Sequence, residues 1–272
     1  MIELFKKEIA GEKSLEDKIN RLREMLQLVC LKILYDKGHF SALTFTGGTA
    51  LRLLYNLKRF SEDLDFFLTM KRNYDFGSIA SDLNRGFSLN GLEMSLKTWR
   101  LSNVDNGTMN FPELLKNVGL SRAADPDISI KLEINLNPPE GGEIERTLVN
   151  RIFMLNIAHF SLSSLYATKL HACFFRKYVK GRDFYDLLWY LGKKIKPDYL
   201  LLNNAIRQTE SKFEALDEDN LKDFLLQKLE KVNFGDVKKD VERLLEDKND
   251  LKLLEKSIIM KAVIDVFGVE TR

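Results

Sequence analysis

Asp63 and Asp65 are separated by a single leucine, Leu64, and followed at once by Phe66 and Phe67. In an extended strand residues two apart share a face, so both carboxylates project together while Leu64 turns to the core. Two carboxylates side by side repel, and burial worsens the repulsion. A divalent cation removes the problem. Two Mg2+ ions about 3.5–4 Å apart, bridged by carboxylates, activate an attacking hydroxyl and stabilise a leaving pyrophosphate. The plainer reading is two acids on a solvated strand end. Phe66 and Phe67, which carry the strand straight into the core, argue against it. Glu133 is the candidate third acid. It lies on the polar face of an alternating segment at 128–136 and joins the pair if that segment lies beside 64–69; otherwise it is a surface glutamate near Lys131.

Upstream, a short apolar run ends at Gly47-Gly48, and helical periodicity resumes at Thr49. Glycines let backbone approach a ligand, and the free N–H groups of a helix start favour an anion such as a phosphate. Alone, such a junction is a weak signal, better explained by a tight turn. Downstream, Leu162, Leu165, Lys169, Ala172 and Arg176 fall on one helical stripe. A lysine at such a position snorkels or meets an anion. A nucleotide triphosphate is one anion, for which the lysine would wait partly solvated; an internal salt bridge to Asp183 or Asp186 is the other. Gly181 is read as ending that helix. Asp183, at the start of the next, is read as an N-terminal cap, and Asp186 shares its face.

Several elements must position these groups. Helical spacing predicts a helix over 14–37, capped by Ser14, and others over 49–57 and 75–89. Strands are expected at 42–46, at 64–69 with both faces largely buried, at 92–99, 109–115, 128–136 and 146–149, with Asn106-Gly107 as the hairpin turn. Pro138-Pro139-Glu140-Gly141-Gly142 is the strongest loop signal. From Ser161 on, the pattern is helical throughout: 161–180, 183–194, 198–210, 218–231, 235–247 and 250–267.

The 272 residues carry 42 Lys+Arg against 40 Asp+Glu, a formal net charge of +2 that excludes a polycation or an acidic tail while leaving room for a local basic patch. Two cysteines, Cys30 and Cys173, build neither a disulfide framework nor a cysteine zinc site, and three histidines leave carboxylate oxygens as the expected metal ligands. No apolar run approaches the ~20 residues of a membrane span, and the acidic N-terminal segment does not read as a signal peptide. The expected location is cytoplasmic, without membrane contact.

Gly47-Gly48-Thr49-Ala50-Leu51, followed by Arg59-Phe60-Ser61-Glu62-Asp63-Leu64-Asp65-Phe66, resembles the signature of the AbiEii/AbiGii-type nucleotidyltransferase toxins, within the DNA polymerase β-like nucleotidyltransferase superfamily. The wider superfamily carries Gly-Ser before its Asp-x-Asp; Gly-Gly-Thr is this family's own variant. The family's later lysine and Arg-Asp-x-x-Asp segment match Lys169 and Arg182-Asp183-Phe184-Tyr185-Asp186. The motif order matches over roughly residues 15 to 200; the later helices carry no recognised motif.

The resemblance implies an α+β fold: a nucleotidyltransferase-like N-terminal mixed sheet with flanking helices over 1–155, then an all-helical region over 156–272. It implies Gly47, Gly48, Thr49, Ser61 and Lys169 as nucleotide-binding residues. Asp63, Asp65 and, with the geometry above, Glu133 would hold Mg2+, expected as two ions, and Asp63, Asp65, Lys169 and Asp183 would be catalytic. The implied activity is transfer of a nucleoside monophosphate from an NTP to an acceptor hydroxyl, an RNA such as the 3′ end of tRNA, by a toxin with a cognate antitoxin partner. The alternatives are transfer to a protein or small molecule, and an NTP-binding partner module without turnover.

Overall fold

The computed structural model describes residues 1–120 and 127–268. Its contacts divide the chain into two units: Met1–Asn56, Phe60–Pro138 and Ile144–His159 form the first; Leu57–Arg59, Pro139–Glu143 and the chain from Phe160 onward form the second.

The first unit opens with α1 (Ile2–Ile9) and the long α2 (Leu15–Asp36). Ser14 caps α2 by accepting from the Asp17 amide at 3.0 Å. β1 (Leu43–Thr46) runs directly into α3 (Gly47–Tyr55), and β2 (Asp63–Leu68) follows. Next come α4 (Phe76–Leu89), capped by Asp75, then β3 (Ser95–Leu101), β4 (Val104–Phe111) and the single turn α5 (Leu114–Asn117). β5 (Ile128–Asn135), β6 (Ile144–Asn150) and β7 (Met154–Phe160) complete it.

The seven strands form one mixed sheet in the order β3-β4-β5-β2-β1-β7-β6. β2 lies at its centre, antiparallel to β1 and parallel to β5. Helix α2 packs on α4 and β5, and α3 packs on β2. The core side of β2 is set by Leu64, Phe66 and Leu68, with Phe66 against Phe45 at a ring separation of 5.2 Å. Each such burial stabilises the fold by about 2 kcal/mol.

Three expectations are corrected here. β2 is not buried on both faces: Asp63, Asp65 and Phe67 alternate with the buried residues and stay half-exposed. The β3–β4 turn is at Ser102-Asn103, where Ser102 has φ 52°, and Asn106-Gly107 lies inside β4. Gly107 belongs there because a Cβ would stand 3.2 Å from Leu96 Cδ1. Finally, α1 and β7 are elements the periodicity did not predict.

The second unit is helical: α6 (Leu162–Phe175), α7 (Gly181–Gly192), α8 (Tyr199–Thr209), α9 (Leu221–Glu230), α10 (Phe234–Val241) and α11 (Lys256–Phe267). α7 packs on α6, α10 and α11. Tyr166 and Tyr190 stack at 4.2 Å within this core. α6 ends at Phe175, five residues before the expected end. Gly181 opens α7 rather than ending α6, since a Cβ there would collide with the Val237 carbonyl, and its amide donates to Asp240 at 2.6 Å. No helix among the described residues is long and apolar enough to cross a membrane.

Candidate active site

In the first unit, the alternation of β2 places Asp63 and Asp65 on the same face, away from the core. β1 delivers Gly47 beside them: Thr46 is in register with Asp65, and α3 begins at Gly47, two residues earlier than expected. Gly47 has φ +78°, and a Cβ there would stand 2.9 Å from Asp65 Cγ. Glycine is therefore required twice, by the backbone angle and by the carboxylate.

The Thr49 hydroxyl donates to the Asp63 carbonyl oxygen, and the side chain is fully buried. It ties α3 to β2, so what this helix start offers a phosphate is backbone N–H. Thr46 is the hydroxyl left over: it is 3 % exposed, and its Oγ1 is buried without a hydrogen-bond partner. Ser61 is buried, and its carbonyl accepts from Gln27 Nε2 at 3.0 Å.

α3 is fixed from behind by a buried ion network that sequence reasoning missed. Arg52 donates to Glu24, which is 1 % exposed, and Arg21 donates to the other oxygen of Glu24 at 2.5 Å. The Arg52 guanidinium also lies 4.0 Å over the Phe60 ring. Glu24 stands in the middle of α2, where nearly every side chain from Leu22 to Leu34 is buried. A charge inside such a run was the available signal.

Glu133 is in register with Asp65 on the neighbouring strand, as the pairing argument required. Its carboxylate is engaged by Lys131, itself in register with Asp63. Among the described residues no three His, Cys, Asp or Glu side chains are gathered as a metal site. The donor set nevertheless fits Mg2+. Two carboxylates share a strand face, and the orphaned Thr46 hydroxyl sits opposite Asp65. These are hard oxygen ligands, which suit that ion.

In the second unit, Lys169 on α6 meets Asp183 and Asp186 on α7. Its ammonium donates to Asp183 Oδ1 at 2.7 Å and lies 2.8 Å from Asp186 Oδ2. The lysine is only 8 % exposed, so it does not wait in solvent. The internal salt bridge is the arrangement present. Asp183 does not cap α7: it is the third residue of the helix, and its carboxylate is spent on Lys169. Arg176 approaches the other Asp183 oxygen at 3.5 Å.

Asp186 is clasped by Arg59, whose Nε and Nη2 each donate at 2.6 Å to separate carboxylate oxygens. Both residues are essentially inaccessible. Arg59 received no role from sequence reasoning, although it opens the segment that ends in Asp63 and Asp65. Burial alone would raise the pKa of Asp183, but Lys169 and Arg176 outweigh it and hold it at about 2. Burial likewise works to lower Lys169, yet Asp183 and Asp186 leave it raised.

A family model described as "Nucleotidyl transferase AbiEii toxin, Type IV TA system" matches residues 30–257. Among solved structures, one described as a candidate nucleotidyltransferase from Helicobacter pylori is 20 % identical with a TM-score of 0.51, covering 92 % of this chain and 97 % of its own. Another, JHP933 from Helicobacter pylori, is 21 % identical with a TM-score of 0.53, covering 90 % of this chain and 91 % of its own. At these identities the likeness is one of fold. No curated protein matches the chain.

Proposed function

The chain belongs to the AbiEii nucleotidyltransferase toxin family of type IV toxin–antitoxin systems, and from that premise we propose that it moves a nucleoside monophosphate from an NTP to a hydroxyl of RNA, the 3′ end of tRNA, with Mg2+. The observation that carries the proposal is the placement of Asp63 and Asp65 on one strand face beside the Gly47 opening.

In this reading Asp63 and Asp65 hold the metal, with Glu133 recruited from Lys131 as a third oxygen donor. Bound there, Mg2+ would lower the pKa of the acceptor hydroxyl and neutralise charge on the leaving pyrophosphate. The backbone of Gly47, Gly48 and Thr49 takes phosphate oxygens at the start of α3, with Ser61 supporting it. Lys169 binds a phosphate of the NTP. Asp183, held at about 2, is a poor proton acceptor near neutrality. Its catalytic contribution is to orient the Lys169 ammonium as a fixed negative charge. The protein supplies position and electrostatics, which is most of what phosphoryl-type transfers need. A cognate antitoxin is the expected protein partner, and the cytoplasm the expected location.

The test is incubation with Mg2+, each labelled NTP in turn, and separate pools of total RNA, protein and metabolites. Label in RNA with release of pyrophosphate supports the reading. Label in protein or metabolites alone moves the acceptor to that class. Nucleotide binding with no pyrophosphate release would leave a binding module.

A further inference from the structure

The Lys169 cluster has a charge balance that Lys169 and its two partners cannot supply alone. Lys169 is bracketed by two buried carboxylates, Asp183 at 2.7 Å and Asp186 at 2.8 Å. One ammonium between two carboxylates is a net negative group, and such a group repels a triphosphate. Arg59 cancels that excess. Its guanidinium takes both oxygens of Asp186 through two 2.6 Å bonds, the fork geometry in which arginine matches a carboxylate. With Arg59 at 1 % exposure and Asp186 at 0 %, neither charge is screened by solvent.

We propose that Arg59 is a positioning residue for nucleotide binding: by neutralising Asp186 it leaves Lys169 with one carboxylate to balance and an N–H direction for a phosphate of the NTP. This rests on the proposed role of Lys169 as a phosphate ligand and adds the reason that role is compatible with a buried, ion-paired lysine. Lys169 spends two N–H groups on the carboxylates, and an ammonium has three. Asp186 thus acts as the joint between Arg59 and Lys169, and Asp183 as the group that fixes the ammonium's direction. Arg176, whose side chain is half-exposed, approaches the other Asp183 oxygen and makes the cluster net positive.

The proposal predicts an order that scaffolding alone does not. Arg59→Met makes the cluster one charge more negative and weakens NTP binding. Asp186→Asn makes it one charge more positive and tightens binding. The double variant Arg59→Met/Asp186→Asn restores the wild-type charge and binds like wild type. Each single change is expected to shift the dissociation constant about tenfold, in opposite directions.

The measurement is the dissociation constant of Mg-ATP, Mg-GTP, Mg-CTP and Mg-UTP for the full chain, well below each variant's melting temperature, with Lys169→Ala in parallel. If Arg59→Met does not fold, Asp186→Asn and the balanced double variant still carry the test. The result expected is tightening in the first and wild-type affinity in the second. Wild-type affinity in both single variants, or equal weakening in every variant, overturns the proposal while a weakened Lys169→Ala leaves the phosphate role of Lys169 standing. Wild-type affinity in Lys169→Ala removes that role and the proposal with it.

Discussion

Gly47 and Asp65 come from different elements, yet the space a side chain would need at one is held by the carboxylate of the other: a Cβ on Gly47 would lie 2.9 Å from Asp65 Cγ. The left-handed backbone at Gly47, φ +78°, adds a second penalty to any substitution. Gly47→Ala is therefore expected to displace the Asp65 carboxylate and lose nearly all transfer. Strain of this kind costs about 1–3 kcal/mol, so the fold should survive. Circular dichroism with a transfer assay separates the two effects; an active Gly47→Ala protein would contradict the close approach.

The buried Lys169 makes its own stability prediction. Lys169→Ala leaves two carboxylates without their ammonium, and breaking a buried pair in this way costs about 3–5 kcal/mol. The variant should melt well below wild type without any nucleotide. An unchanged melting temperature would mean that the 2.7 and 2.8 Å contacts do not hold in solution.

Asp183 predicts an acid limb. Its folded pKa of about 2 lies below the unfolded value of roughly 3.9. The stability it contributes is therefore fully present above about pH 4 and is lost as pH falls from there through 2. The amount is about 2–3 kcal/mol. Denaturant unfolding at pH 7 and pH 3 should show a smaller drop in Asp183→Asn than in wild type. An equal drop would assign the acid sensitivity to other carboxylates.

An RNA acceptor requires a cationic surface, and Arg176, Lys177 and Lys180 are exposed in the segment between α6 and α7, with Lys193, Lys194 and Lys196 exposed after α7. RNA binding should fall steeply between low and moderate salt, and replacing Lys177 and Lys180 by alanine should flatten the slope by about one to two units. A salt-independent interaction would direct the acceptor assignment to protein or a small molecule.

Much of this architecture was legible because local signals and packing agree. Ser14 before an apolar stripe gave α2, and Asp75 gave the start of α4. The Asp63-Leu64-Asp65 alternation gave the paired face and the buried leucine together. Failures occurred where the local signal was ambiguous. Asn106-Gly107 looks like a turn, but Gly107 is a strand residue kept small by Leu96, and the turn falls on Ser102-Asn103. β7 follows β6 through Arg151-Ile152-Phe153, with neither glycine nor proline to announce it. Spacing put Lys169 near Asp183 and Asp186 but could not show its burial, because that depends on Arg59, more than a hundred residues earlier, neutralising Asp186.

In the proposed function Asp63 and Asp65 hold the metal that transfer requires. The direct measurement is pyrophosphate release and label transfer by wild type, Asp63→Asn and Asp65→Asn with Mg2+ and with EDTA, alongside the melting temperature of each. Removing one of two repelling carboxylates should leave the melting temperature unchanged or slightly higher. The expected result is folded variants with transfer reduced at least a thousandfold and wild type silenced by EDTA. A folded Asp63→Asn or Asp65→Asn protein that keeps most of its transfer rate would contradict it.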